Sequence, residues 1–104
     1  MIQTLKNILG IGPKVDLADL ISKGAQVIDV RSRGEYGSGH LKGSVNIPLD
    51  QLHGQLKKLK GKDHPIITCC ASGMRSSAAA AALNKAGIEA YNGGPWSSLQ
   101  QAIR

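Results

Sequence analysis

The sequence predicts an α/β fold built on a parallel sheet, and three observations lead there. Short apolar runs rich in β-branched residues, AQVIDV at 25–30 and PIITC at 65–69, have the length and composition of strands buried on both faces. Stretches with helical spacing or high helix propensity alternate with them, above all the alanine-rich SSAAAAALNKA at 76–86. Gly, Pro, Asp or Ser punctuates nearly every junction. Strand–helix alternation of this kind belongs to a parallel sheet covered by crossover helices.

Taken in order, residues 1–12 carry Ile2, Leu5, Ile8 and Leu9 at helical spacing and stop near Gly10, which predicts a short helix packed on the domain. This segment lacks a basic start, a continuous apolar run and a small-residue cleavage site, so it is read as part of the fold and not as an export signal. After Gly12-Pro13, residues 14–16 predict a short edge strand. Asp16 then caps a helix through Leu17, Leu20 and Ile21 that closes at Gly24. Residues 25–30 form the first buried strand, and the polar, glycine-rich 31–39 a loop with one helical turn. Residues 44–47 form a strand stopped by Pro48, and Asp50 caps a helix to about Lys60. Residues 65–69 form a central strand, 70–75 a tight loop, and 76–86 a helix closed by Gly87. A last strand at 89–91 and the turn Gly93-Gly94-Pro95 lead into a terminal helix over 96–103.

The 104 residues make one domain, 1–104, able to bury roughly 60–70% of its unfolded surface. With two Tyr, one Trp and no Phe, its core has to be built from Ile, Leu, Val and Ala. The net charge is +6, densest in LKKLKGK at 56–62. That run reads as a solvated helix end, with a docking patch for an acidic partner as the alternative. Stacking aromatics and nucleic-acid motifs are missing, so no nucleic-acid partner is expected. No stretch approaches the roughly 20 apolar residues of a membrane span, so a cytoplasmic domain is the default expectation. Cys69 and Cys70 are adjacent and point to opposite faces of a strand, which removes a structural disulfide between them. Three His and two Cys show no metal-ligand spacing, so neither a metal nor a cofactor is expected.

The chemistry concentrates in PIITCCASGMRSSAAAAAL. A strand ends at Cys70, a short loop follows, and a helix begins. The thiol therefore lies at the carboxyl end of a parallel strand, where open α/β folds bind ligands, and faces the unpaired N–H groups of a helix start. Gly73 lets the loop curl so that amides point inward. Arg75 adds positive charge. These effects favour thiolate, so Cys70 is expected to be an activated nucleophile and Ala71, Ser72, Gly73, Met74 and Arg75 its cradle. Ser76 is read first as the helix cap and second as a donor to the sulfur. Cys69, within the strand, reads as an inert buried thiol, with a resolving thiol as the alternative.

Three motifs in order carry a family resemblance over residues 15–99. VIDVRSRGEYGSGHLKGSVNIPL resembles the first signature of the rhodanese domain: Asp-Val-Arg, a Glu four residues after that Arg, Gly-His, a Gly, then Asn-Ile-Pro. CASGMRSSAAAAAL resembles its active-site loop and following helix, and YNGGPW its Gly-Gly turn. The resemblance implies a three-layer α/β/α sandwich around a five-stranded parallel sheet of order 3-2-4-5-1. It implies a thiosulfate sulfurtransferase, in which Cys70 takes a sulfane sulfur from a small anionic donor, holds it as a persulfide against the amides of 71–75, and passes it to cyanide or a thiol, including a protein thiol. By position, Asp29, Arg31 and Glu35 match the first signature. Asp29 is expected to brace backbone N–H groups or an Arg, since buried charges are paired. Glu35 is expected to pair with Arg31 or Arg75. His40 matches a structural turn histidine. One departure stands out: many relatives carry a basic residue just after the Cys, and here Ala71, Ser72 and Met74 are uncharged. Trp96 also comes sooner after the Gly-Gly turn than in many relatives, and is expected on the core or at the site mouth.

Three rival readings follow from the same residues. A Cys-based phosphatase or arsenate reductase needs five residues between Cys and Arg to embrace a tetrahedral oxyanion, and only 71–74 intervene here. A protein-to-protein persulfide carrier differs from a small-molecule sulfurtransferase only in its acceptor. A catalytically inactive binding module would not need the intact Cys70.

Overall fold

The computed structural model describes residues 15–103. The helix expected over 1–12 lies outside them. The elements are α1 (Leu17–Ser22), β1 (Gln26–Asp29), α2 (Arg33–Gly37), β2 (Val45–Asn46), α3 (Leu49–Leu52), a 3-10 turn (His53–Gln55), α4 (Leu56–Lys60), β3 (Ile66–Cys70), α5 (Met74–Lys85), β4 (Ala90–Pro95) and α6 (Trp96–Ala102).

The strands form one parallel sheet in the order β2-β1-β3-β4. It has four strands among the described residues, not five. The edge strand expected at 14–16 does not form at Val15 and Asp16. Asp16 is already committed to the next helix, its carboxylate accepting the Asp19 N–H at 3.0 Å as the N-cap of α1.

Side-chain alternation along the strands builds two apolar layers. On one face Ile28, Ile66 and Cys70 pack with Leu52, Leu59, Ala79, Ala80 and Leu83 from α3, α4 and α5. On the other, Val27, Ile67 and Cys69 pack with Leu99 of α6 and with Leu17, Leu20 and Ile21 of α1. Helices thus cover both faces, the three-layer arrangement expected. α5 buries Ser76, Ala79, Ala80 and Leu83.

Local chemistry explains where elements begin and end. Ser32 and Glu35 form a capping box at the start of α2. Gly87, at φ +88°, ends α5 in the left-handed region. The helix expected to start on an Asp50 cap instead follows Pro48, with Asp50 in its first turn. That position still suits a carboxylate, because the helix start is electropositive.

β4 runs longer than its sequence suggests because it takes up an irregularity. Thr68 pairs with Asn92 but Cys70 with Pro95, so two steps along β3 match three along β4. Such a bulge is where consecutive glycines belong. Gly94 sits at φ +75°. Gly93 passes so close to β3 that a Cβ there would meet the Thr68 carbonyl oxygen at 2.8 Å and Ile67 Cγ2 at 2.9 Å.

Candidate active site

β3 ends on Cys70, and α5 begins at Met74. The connection is therefore only 71–73, shorter than the loop expected over 70–75, and Met74 and Arg75 are already helical. Gly73 is the helix N-cap at φ +96°, a left-handed conformation that costs other residues roughly 1–2 kcal/mol. This one residue turns the chain back over the sulfur.

The Cys70 side chain has no exposed surface, and it is enclosed by donors. The Gly73 N–H donates to Sγ at 3.0 Å and the Ser76 N–H at 3.3 Å. The Ser76 hydroxyl oxygen lies 3.3 Å from Sγ and accepts the thiol proton in the neutral form. Burial pushes the Cys70 thiol up. Hydrogen bonds from the Ser76 hydroxyl and from the amides of Ser76, Gly73 and Ser72 outweigh it and hold the thiol below its ordinary value.

Two expectations need correction. Ser76 is not the cap. Because α5 starts at Met74, Ser76 falls in the first turn with its side chain inward and fully buried against the sulfur. Arg75 makes no hydrogen bond to Cys70 and acts on its thiolate only through space. Its guanidinium turns to α2 and grips Glu35 with two bonds, Nη1 to Oε1 at 2.7 Å and Nη2 to Oε2 at 2.9 Å. Of the two partners foreseen for Glu35, the distant one is chosen. With Arg75 first and the Ser32 cap second, Glu35 is held down to about 2, so it remains ionised.

Asp29 braces the neighbouring loop. Its fully buried carboxylate accepts from Arg31 Nε at 2.9 Å, Arg31 Nη2 at 2.7 Å and the Arg31 N–H at 3.0 Å. Arg31 also donates to the Gly39 carbonyl at 2.7 Å and stacks 5.0 Å from the Trp96 ring centroid. Trp96 thus packs on the core side. His40 stacks on Tyr36 with ring centroids 3.7 Å apart, and its Nδ1 lies 2.7 Å from the Tyr36 carbonyl oxygen, a turn-bracing arrangement. Cys69 points into the opposite layer, where burial first and Asp29 second push its thiol up to about 12.

Sequence reasoning missed Asn92. Its Oδ1 accepts the Ser76 hydroxyl at 2.6 Å and the Gly94 N–H at 2.9 Å. The amide N–H of Gly94 can only donate, which identifies the facing atom as oxygen. In the neutral thiol form Asn92 therefore accepts the Ser76 hydroxyl proton and leaves the Ser76 oxygen free to accept from the thiol. The available signal was an Asn directly before two glycines in a short strand, a mark of a bulge that re-aims a side chain. Asn92→Asp is expected to raise the pH at which the thiolate appears, by placing negative charge next to Ser76, and to lower the thiolate fraction at neutral pH roughly threefold to tenfold. A pH titration of thiolate ultraviolet absorbance, with Cys70→Ser as blank, measures it. An unchanged midpoint contradicts the role.

A buried thiol held below its ordinary value by the amides of Gly73 and Ser76, at the carboxyl end of a parallel strand, gives this α/β domain a candidate cysteine nucleophile. The sequence model of the rhodanese-like domain matches residues 14–95, and the chain belongs to that family. It is 42% identical over 69 residues to the uncharacterized protein YqhL of Bacillus subtilis, covering 65% of this chain and 54% of that protein. It is 33% identical over 85 residues to a tRNA sulfurtransferase of Thermoplasma acidophilum, covering 80% of this chain and 17% of that protein. The chain thus spans about half or less of the length of these curated relatives. Among solved structures, a rhodanese-related protein from Thermoplasma volcanium superposes with a TM-score of 0.71 at 31% identity, covering 86% of this chain and 92% of that one. No helix among the described residues is long and apolar enough to cross a membrane.

Proposed function

We propose that the chain is a sulfurtransferase that carries a sulfane sulfur as a persulfide on Cys70. The carrying observation is the pair of amides, Gly73 and Ser76, directed at a buried Sγ. Their partial charges stabilise the thiolate before reaction and the leaving thiolate after it. With thiosulfate, Cys70 thiolate attacks the outer sulfur, the S–S bond of the donor breaks, and sulfite leaves with the electron pair. The resulting Cys70 persulfide anion gives its terminal sulfur to cyanide, yielding thiocyanate, or to an acceptor thiol, and Cys70 thiolate returns. Sulfane sulfur is transferred with no external oxidant, in two covalent half-reactions. A reducing, cytoplasmic setting suits this chemistry, because it keeps the thiol free.

The phosphatase reading loses a further support. Its arginine has to face the substrate oxyanion, and Arg75 instead holds Glu35.

Incubation with a sulfane donor is expected to add about 32 Da to the wild type, one sulfur atom, with nothing added to Cys70→Ala and with cyanide reversing the gain. Intact-protein mass spectrometry reads all three. A wild type that gains no sulfur from any sulfane donor overturns the reading.

A further inference from the structure

On the sheet face packed by α3, α4 and α5, helical cover stops short of the β2 edge. Val45 of β2 pairs with Ile28 in register, so the two side chains share that face, yet Val45 is 46% exposed. With Ile28, Leu59 and Ile66 it forms the apolar floor of a cavity of about 380 Å³. That volume lies within the roughly 300–1,000 Å³ of small-molecule pockets. The walls are basic: Arg33 from α2, Lys58 from α4, and Lys62 and His64 from the turn before β3. No Asp or Glu lines the cavity. None of residues 69–76 lines it either, so it stands apart from Cys70.

The chain has seven carboxylate side chains, and each is placed elsewhere. Asp16 caps α1, while Asp19, Asp29 and Glu35 pair with Lys23, Arg31 and Arg75. Glu89 accepts the Tyr91 hydroxyl at 2.6 Å. Asp50 lines a neighbouring groove that borders Arg33, and Asp63 lines, with Glu89, a hollow that borders Lys62 and His64. Among the described residues no ion pair includes Arg33, Lys58 or Lys62. Arg33 donates only to the neutral Gln51, at 2.9 Å. Residues 1–14 and 104 contain no Asp or Glu, so no side chain there supplies the missing charge. A concave apolar floor under one sign of charge focuses the field on a ligand of the opposite sign. We propose that this cavity is a second binding site, for a small amphipathic organic anion. Its apolar body lies on Ile28, Val45, Leu59 and Ile66, and its anionic head meets Arg33 and Lys58. The site is independent of the sulfurtransferase reading, because it uses no residue of the Cys70 loop.

Three probes separate the two components: decanoate carries both, decyltrimethylammonium the same tail with the opposite charge, and butyrate the same head with a short tail. Titration calorimetry on the full chain is expected to show decanoate binding at least about tenfold tighter than either of the others. Arg33→Gln combined with Lys58→Gln is expected to weaken decanoate by about tenfold. Lys57→Gln combined with Lys85→Gln removes the same charge from two exposed positions outside the cavity, and is expected to weaken it less than about twofold. Decanoate is expected to shift the amide resonances of residues 26–28, 45–47 and 58–66 and to leave those of 70–76 in place. No saturable binding of decanoate, equal binding of decyltrimethylammonium, or an equal loss in the two double variants overturns the site. Hexaglutamate binding where decanoate does not assigns the cavity to an acidic chain and overturns it as well. None of these results bears on sulfur loading at Cys70.

Discussion

Arg31→Ala is expected to destabilise the fold by about 3–5 kcal/mol, the usual result of removing one partner from a buried ion pair. Asp29 has no exposed surface and Arg31 is 5% exposed. Removing the guanidinium leaves the carboxylate with the Arg31 N–H as its remaining hydrogen-bond donor, and frees the Gly39 carbonyl that Arg31 also holds. Arg31→Lys keeps the charge and loses the two-pronged fork, so an intermediate loss is expected. Urea unfolding followed by the fluorescence of the single tryptophan, Trp96, which stacks on Arg31, measures both. Losses below about 1 kcal/mol, the scale of an exposed pair, contradict a structural role for the bridge.

Gly93→Ala is expected to cost about 1–3 kcal/mol and to change the rate of sulfur loading at the same time. Steric contact is the whole cause, because the methyl group would lie 2.8 Å from the Thr68 carbonyl oxygen and 3.2 Å from Leu99 Cδ2. β4 has to move away from β3, and Asn92, the neighbouring residue, moves with it. The hydroxyl of Ser76 then loses its 2.6 Å partner. Denaturation midpoint and persulfide loading rate, measured on the same preparation under folding conditions, separate the two effects. A stable variant with an unchanged loading rate contradicts the coupling between the bulge and the sulfur.

The sequence was most informative where physics is local. AQVIDV and PIITC lie in the two central strands, and continuous burial leaves a continuous apolar run. Gly73 and Cys70 were legible because a strand end, a left-handed residue and a helix start leave their marks within a few positions. Ser76 was misread through a boundary displaced by two residues. A helix starting at Ser76 makes it a cap, and one starting at Met74 turns the same side chain inward. The Glu35–Arg75 pair spans 40 residues of chain, and only the packing of α2 beside the start of α5 chooses it over the near neighbour Arg31. Asn92 depended on a shift in strand register, which no local pattern encodes in full.

Cys69 and Cys70 share a peptide bond and face opposite layers. A sulfur atom loaded on Cys70 accordingly has no internal exit. The one other thiol in the chain sits behind the sheet and stays protonated, so it cannot attack the loaded sulfur and discharge it as a disulfide. If the chain works as proposed, delivery depends on an outside acceptor reaching the site.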